Sequence, residues 1–187
     1  GARARSAALA EAHRRLTADV ETEVRAGLEE TWGPGRPSVT HRYPEDGGTT
    51  VEVQLLDPAG NPVASNDQQT GHAAIATLLE SALGITAPAA ELAARALRPA
   101  DPDNDDWTEA ATALGLRGDE ETFRAAVEWC AAPDPLRQAF GADVLGRLGN
   151  PHGLPILRVL TGATDPVIRD RAASALVRLD SPGPSGP

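Results

Sequence analysis

Lysine is missing from this 187-residue sequence, and all 17 of its basic residues are arginines. Lysine is among the commonest residues of ordinary proteins, so its absence needs a cause. A requirement for positive charge gives no reason to exclude lysine while keeping arginine. We therefore favour a GC-rich genome, which also explains the abundance of alanine, glycine and proline, over the alternative that the chain avoids lysine-directed tagging.

Cysteine occurs once, as Cys130, so the chain can form neither an internal disulfide nor a multi-cysteine metal cage. Cys130 lies on the apolar face of a predicted helix, whereas reactive thiols need an exposed, electropositive setting. We interpret it as a core residue. The four histidines fall on four different predicted elements without the spacing of metal ligands, and we interpret His41 as a partly buried sheet residue. They are His13, His41, His72 and His152. We expect no catalytic residue, no metal and no cofactor.

Long apolar runs and clustered positive charge are also absent. No stretch approaches the roughly 18 apolar residues of a membrane span, and Arg3, Arg5 and Glu11 interrupt the alanine-rich start. We expect a cytoplasmic protein. The net charge of −10 is shared by both halves of the chain, whereas a nucleic-acid binder needs a basic face. We therefore expect neither a membrane nor a nucleic acid as partner.

The sequence does contain an internal repeat with a period of 31 residues. Asp134-Pro135 returns as Asp165-Pro166, and the segment 144–148 returns as 175–179. A further copy can be aligned from about Asp103, which gives two full repeats and a half. Such a period is typical of helical solenoids, in which each repeat packs mainly on its neighbours.

Each copy is predicted to contain two amphipathic helices. In the last copy the apolar residues from Ile168 to Leu179 recur at helical spacing, and Gly149-Asn150-Pro151 ends the helix before it. Because the last copy supplies only its first helix, we predict a solenoid of five helices. Its core should include Leu145, which lies between the helices in this prediction.

These residues carry a resemblance to a known family. The run 142–151, followed by 154–157 and 165–169, resembles the short bacterial HEAT-like repeats that also occur in phycobilin lyase subunits. The resemblance covers residues 103–180 and implies a helical solenoid. It implies no common chemistry, because such repeats mostly present surfaces to other macromolecules.

The segment before the repeats is predicted to be a small α+β unit of no recognised family. Apolar residues at multiples of about four predict one helix over 5–31, which Gly33–Pro37 ends. Alternating residues then predict an antiparallel sheet of two or three strands, at 39–43, 51–55 and, shorter, 63–65. Two helices, at 69–83 and 87–97, follow. The whole chain should therefore be mainly α-helical.

A run rich in proline and aspartate, residues 99–106, marks the predicted domain boundary. We place an N-terminal unit at 1–100, the repeat solenoid at 101–180 and a flexible Pro/Gly tail at 181–187. The run superficially resembles a calcium loop, but Asp106 stands where an EF-hand needs glycine and Thr112 where it needs glutamate. We interpret the run as a linker, with Asp106 capping the next helix.

The best enzymatic lead is the polar segment 66–72, where a strand gives way to a helix N-terminus that could hold an anion. Asp67 and His72 are its chemical groups. The simpler interpretation, which we favour, is that Asn66 or Asp67 only caps the helix. No phosphate loop or nucleophile elbow is visible in the sequence.

Comparison of the copies singles out residues that differ in polarity. Trp107 takes the position of Gln138 and Arg169, and we predict that it lies at the contact between the N-terminal unit and the solenoid. Phe140 likewise aligns with polar residues and is a candidate partner contact. Val167 and Val177 in the last copy are further candidates, because no second helix follows to cover them.

The predicted function is therefore non-catalytic: an intracellular adaptor or scaffold that holds another protein, with self-association as a further option. The alternative is an enzyme or enzyme subunit with its active site within 1–100, near Asp67 and His72, and with the repeats as docking module. A helical-repeat DNA glycosylase is disfavoured by the acidic charge.

Overall fold

The computed structural model describes residues 1–45 and 48–180, and these form a mainly helical protein with one antiparallel sheet, as predicted. The predicted tail, 181–187, lies outside the described residues. The elements are α1 (Ala2–Thr17), α2 (Val20–Trp32), β1 (Ser38–Glu45), β2 (Gly48–Leu56), β3 (Pro62–Gln69), α3 (Ala73–Leu83), α4 (Ala89–Leu97), α5 (Asp105–Arg117), α6 (Glu120–Cys130), α7 (Pro135–Leu148), α8 (Leu154–Leu160) and α9 (Pro166–Asp180). They pack as two units that divide within α3, after Ala76.

The single helix predicted over 5–31 is wrong, because the chain breaks between α1 and α2. Ala18 is extended, and Asp19 caps α2 by accepting hydrogen bonds from the backbone N–H of Thr22 at 3.2 Å and from its hydroxyl at 2.7 Å. These bonds lower the pKa of Asp19. A carboxylate at the N-cap satisfies N–H groups that a continuous helix would have bonded itself, so the break costs little.

The sheet of the first unit has its strands in the order β1-β2-β3, with β2 central. One face of β2 is fully buried against α2, through Val51, Val53 and Leu55 on the strand and Val20, Val24 and Leu28 on the helix. His41, predicted to be partly buried, lies on the opposite face of β1 and is exposed. The alternation of a strand fixes this, because neighbouring residues point to opposite faces.

The third strand is longer than predicted and changes the interpretation of the enzymatic lead. β3 runs to Gln69 and α3 begins at Ala73, so Asn66 and Asp67 are strand residues and neither caps a helix. The predicted cap is wrong because the polar side chains of β3 do not prevent its backbone from pairing with β2 along most of its length.

The second unit contains the helical repeat. The first helices of successive copies, α5, α7 and α9, pack in series, and α6 packs against α7. Leu145 is fully buried at the centre of this core, as predicted. Counting back 31 residues from α6 reaches α4, which packs on α5 and contributes Leu92 and Ala93 to the same core. The packed stack therefore includes a helix ahead of the proline-rich run.

Glycines at equivalent repeat positions allow the first helices to approach closely. A Cβ added at Gly115 would lie 2.6 Å from the Cβ of Arg147, and one at Gly146 would lie 2.5 Å from the Cβ of Ala175. Both separations are far below van der Waals contact. The 31-residue period thus places a glycine where α5 crosses α7 and another where α7 crosses α9.

Candidate functional site

A buried carboxylate, Asp143, is the most unusual group in the repeat unit. It lies in the middle of α7 with no exposed surface, and its Oδ2 accepts a hydrogen bond of 2.9 Å from the indole Nε1 of Trp107. Arg178 on α9 donates to Oδ1 at 2.5 Å, and Arg147 one helical turn away lies 3.4 Å from the same oxygen. The charge is thus neutralised and hydrogen-bonded, as a buried carboxylate must be.

The same contacts repeat along the stack. Arg147 and Arg178 are equivalent in the 31-residue period, and so are Thr112 and Asp143. Arg147 donates to the hydroxyl of Thr112 at 2.8 Å, just as Arg178 donates to Asp143. Each arginine therefore binds the equivalent position of the preceding copy, and this ladder joins α5, α7 and α9. Its geometry is that of a structural support, since its polar groups bond to one another across the three helices.

Phe140, a candidate partner contact from the sequence, is fully buried in the structure. Its ring lies edge-on to Trp107 with centroids 5.0 Å apart, and 5.5 Å from the ring of Trp129. The surface assignment is therefore corrected: the phenyl ring fills the core, and a partner cannot contact it in this conformation. Its polar counterparts in other copies misled the sequence comparison, because Phe140 packs against Trp107 and Trp129 of the preceding copy, which have no tryptophan equivalents in the later copies.

Trp107 is also buried, with 1% of its surface exposed. Besides Phe140 and Asp143 it contacts Arg171 of α9, whose guanidinium carbon lies 5.6 Å from the indole centroid. These partners belong to the repeat unit itself. That Trp107 also lies at an interdomain contact stays a prediction.

The two valines of α9 differ in exposure. Val167 is partly buried and packs against the core, beside a cleft of about 370 Å³ that also includes the ion-paired Asp103 and Arg171. Val177 is 66% exposed. It occupies the repeat position of Gly115 and Gly146, where the preceding helices meet their neighbours.

The proline- and aspartate-rich run acts as a helix start. The helix α5 is capped by Asn104, whose side chain accepts from the backbone N–H of Asp106 at 2.8 Å. The predicted cap, Asp106, instead lies inside the first turn, buried, with Arg98 at 3.1 Å. Asn104 is the N-cap because its backbone is extended, as the N-cap position requires.

The chemical groups noted in the sequence are spread over the fold. The Nε2 of His72 lies 3.0 Å from the Oε1 of Gln69 at the end of β3, and Asp67 stands opposite Glu52 in the sheet. Burial raises the pKa of the Cys130 thiol to about 12, which agrees with a core residue. Within residues 1–45 and 48–180 no three His, Cys, Asp or Glu side chains come together as a metal site.

Sequence reasoning missed the buried charges. Asp143 could have been noticed as a lone acid within the apolar run 139–146, but two of its three partners, Trp107 and Arg178, are 36 and 35 residues away. Glu80 and Arg95 form a second buried pair, a bidentate contact of 2.7 and 2.8 Å between α3 and α4. Their spacing of 15 residues, across a glycine and a proline, gives no helical-pair signal.

None of the helices that the structure describes has the length and apolarity to cross a bilayer. No curated protein and no solved structure matches the chain. Residues 89–177 match the family of HEAT repeats, and this match begins at α4 and runs into α9. The helical stack built around Asp143 is therefore a HEAT-like repeat region.

Proposed function

We propose that this protein is a non-catalytic adaptor or scaffold that holds another protein through the surface of α9 around Val177. HEAT repeats commonly act in this way, because a stack of helices offers an extended surface without chemistry of its own. A cytoplasmic location and the narrower kinship to the short bacterial repeats of phycobilin lyase subunits are part of the same proposal.

The exposure of Val177 is the observation that carries the proposal. On α5 and α7 the equivalent positions, Gly115 and Gly146, are in close contact with the first helix of the next copy, α7 and α9 respectively. On α9 the same position carries a β-branched apolar side chain that is 66% exposed. The surface of α9 around Val177 is thus accessible, whereas the equivalent surfaces of α5 and α7 pack against another helix. A protein partner would bury apolar contact area of this kind.

The test compares Val177→Asp with Val159→Asp, which introduces the same charge at another exposed valine, on α8. Both variants should keep the thermal stability of the parent, since neither side chain is in the core. Proteins cross-linked to the chain in its native cell, identified by mass spectrometry, should be recovered with the parent and with V159D and lost with V177D. Sedimentation of the purified chain would show whether the partner is a second copy.

Equal recovery of partners with V177D and with the parent would refute the proposal. The enzymatic alternative, with a site near Asp67 and His72, predicts instead a catalysed reaction that Val177→Asp leaves unchanged and that His72→Ala abolishes.

A further inference from the structure

The sheet of the first unit has one face covered by α2 and one face open. The register places Ser38, Thr40 and Arg42 of β1 on the covered side, beside Val51 and Val53. The open side carries their neighbours in alternation: Val39, His41 and Tyr43 on β1, Thr50, Glu52 and Gln54 on β2, and Ser65, Asp67 and Gln69 on β3. Thr50 is the one buried residue among them, and its hydroxyl donates to Glu45 at 2.7 Å. All these residues belong to the unit Gly1–Ala76.

The open face combines apolar contact area with an aromatic ring. Val39 and Tyr43 are each 40% exposed, and Val63 at the start of β3 is 38% exposed. The register of β3 shifts at this point and leaves Val63 without a partner on β2, so the alternation does not assign Val63 to a face. Two of the large exposed apolar side chains, Val39 and Tyr43, thus share one side of the sheet, with His41 between them.

The formal charge on this face is negative, and His41 is the one basic residue that the three described strands place on it. Glu52 and Asp67 stand directly opposite each other on neighbouring strands, where like charges repel. Neither forms an ion pair with a described residue, and Glu52 accepts only a hydrogen bond of 2.9 Å from Gln54. Partial burial and the carboxylates of Glu52, Asp67 and Glu45 together raise the pKa of the Tyr43 phenol.

Arginine is kept off the open face. Arg42, the one arginine in the three strands, lies on the covered side and pairs with Glu21 of α2 at 2.6 Å. His41 stands opposite Glu52, but no described residue forms an ion pair with Glu52 or with Asp67. A cation brought by a partner would relieve the repulsion between these two, since one positive head group fits between carboxylates on adjacent strands.

We infer that this open sheet face docks a cationic segment of another protein, with a lysine or arginine head group between Glu52 and Asp67 and apolar neighbours on Val39 and Tyr43. Tyr43 lies on β1, the strand next to the one that carries Glu52. The π face of its ring can contact the stem or the charge of such a side chain. The inference is independent of the proposed function, because it concerns a different unit and different residues. A nucleic acid is excluded as occupant by the sign of the charge.

The experiment uses the full chain and a synthetic seven-residue peptide in which lysine and valine alternate, labelled with fluorescein. Binding is measured by fluorescence anisotropy at low and at physiological ionic strength, and the site is mapped by the amide NMR shifts of the ¹⁵N-labelled chain. We expect the shifts to fall on β1, β2 and β3. The double variant Glu52→Gln/Asp67→Asn should raise the dissociation constant about fivefold, which is the loss expected for exposed charge pairs.

The matched control is Glu120→Gln/Glu121→Gln, which removes two exposed carboxylates from α6 and changes the net charge equally. It should leave the dissociation constant unchanged. Equal weakening by both double variants would show attraction by net charge alone and would overturn the inference. It would also be overturned by shifts confined to the helical repeats, or by a peptide that does not bind at all.

Discussion

Asp143 is a fully buried carboxylate that the fold retains in place of an apolar side chain. Desolvation of its charge is offset by the indole N–H of Trp107 and by two arginines that keep part of their surface in water. Such pairs add little net stability when compared with an apolar replacement, but removing one partner leaves the others unsatisfied. The carboxylate therefore fixes how α5, α7 and α9 align.

We expect Asp143→Ala to lower the free energy of unfolding by on the order of 3 kcal/mol, because the buried indole N–H loses its acceptor and the arginines lose their anion. Asp143→Asn keeps an oxygen for Trp107 and should cost less, about 1 to 2 kcal/mol. Urea unfolding followed by tryptophan fluorescence measures both. If Asp143→Ala stays within about 0.5 kcal/mol of the parent, the ladder is not a stabilising element.

The single residues show where sequence reasoning reached its limit. The burial of Leu145 followed directly from helical spacing, because a core position repeats with the helix. The burial of Phe140 did not, because its neighbours Trp107 and Trp129 come from two other helices. A polarity difference between copies indicates that a position is special, without saying whether a partner or the protein's own core explains it.

Helix crossings in the repeat unit depend on glycine at two equivalent positions. Gly115→Ala and Gly146→Ala would each place a methyl group at 2.6 Å or less from a side chain of the next helix. We expect each to lower the free energy of unfolding by about 1 to 3 kcal/mol, as overpacking does.

Gly27→Ala in α2 is the matched control, because nothing lies within 4 Å of its added Cβ. There the substitution should stabilise the chain by about 0.5 to 1 kcal/mol through helix propensity. Thermal unfolding of the three variants separates the two effects. A stabilisation by Gly115→Ala would mean that the crossing of α5 and α7 is looser than described.

The elements themselves were predicted unevenly, for physical reasons. The helices of the repeat followed from their period, and the sheet from its alternation. The break at Asp19 was missed because apolar residues keep helical spacing across it, while the N-cap bonds to Thr22 are local. The length of β3 was missed because its polar residues show no alternation of apolar and polar side chains. Backbone pairing with β2 stabilises the strand instead.

At the scale of the whole molecule, three observations differ from the composition of the chain on where the repeat unit begins. The proline-rich run at 99–106 favours a boundary at 100/101, which stays a prediction. However, α4 lies 31 residues before α6, its Leu92 and Ala96 share a core with Trp107, and Arg95 binds Glu80 of α3 inside the same unit. The packing therefore assigns α4 to the stack.

Two fragments decide between these boundaries. The fragment 73–180 keeps α3 and α4, whereas 101–180 removes both and exposes the side of α5 on which α4 packs. We expect 73–180 to unfold cooperatively and 101–180 to be less stable by at least about 3 kcal/mol, because Leu92 alone contributes about 1.5 to 3 kcal/mol when buried and the alanines add to it. Circular dichroism and urea unfolding of both fragments provide the comparison. Equal stability would restore the boundary at 100/101 and make α4 an attachment of the N-terminal unit, since a helix that belongs to the core cannot be removed without loss.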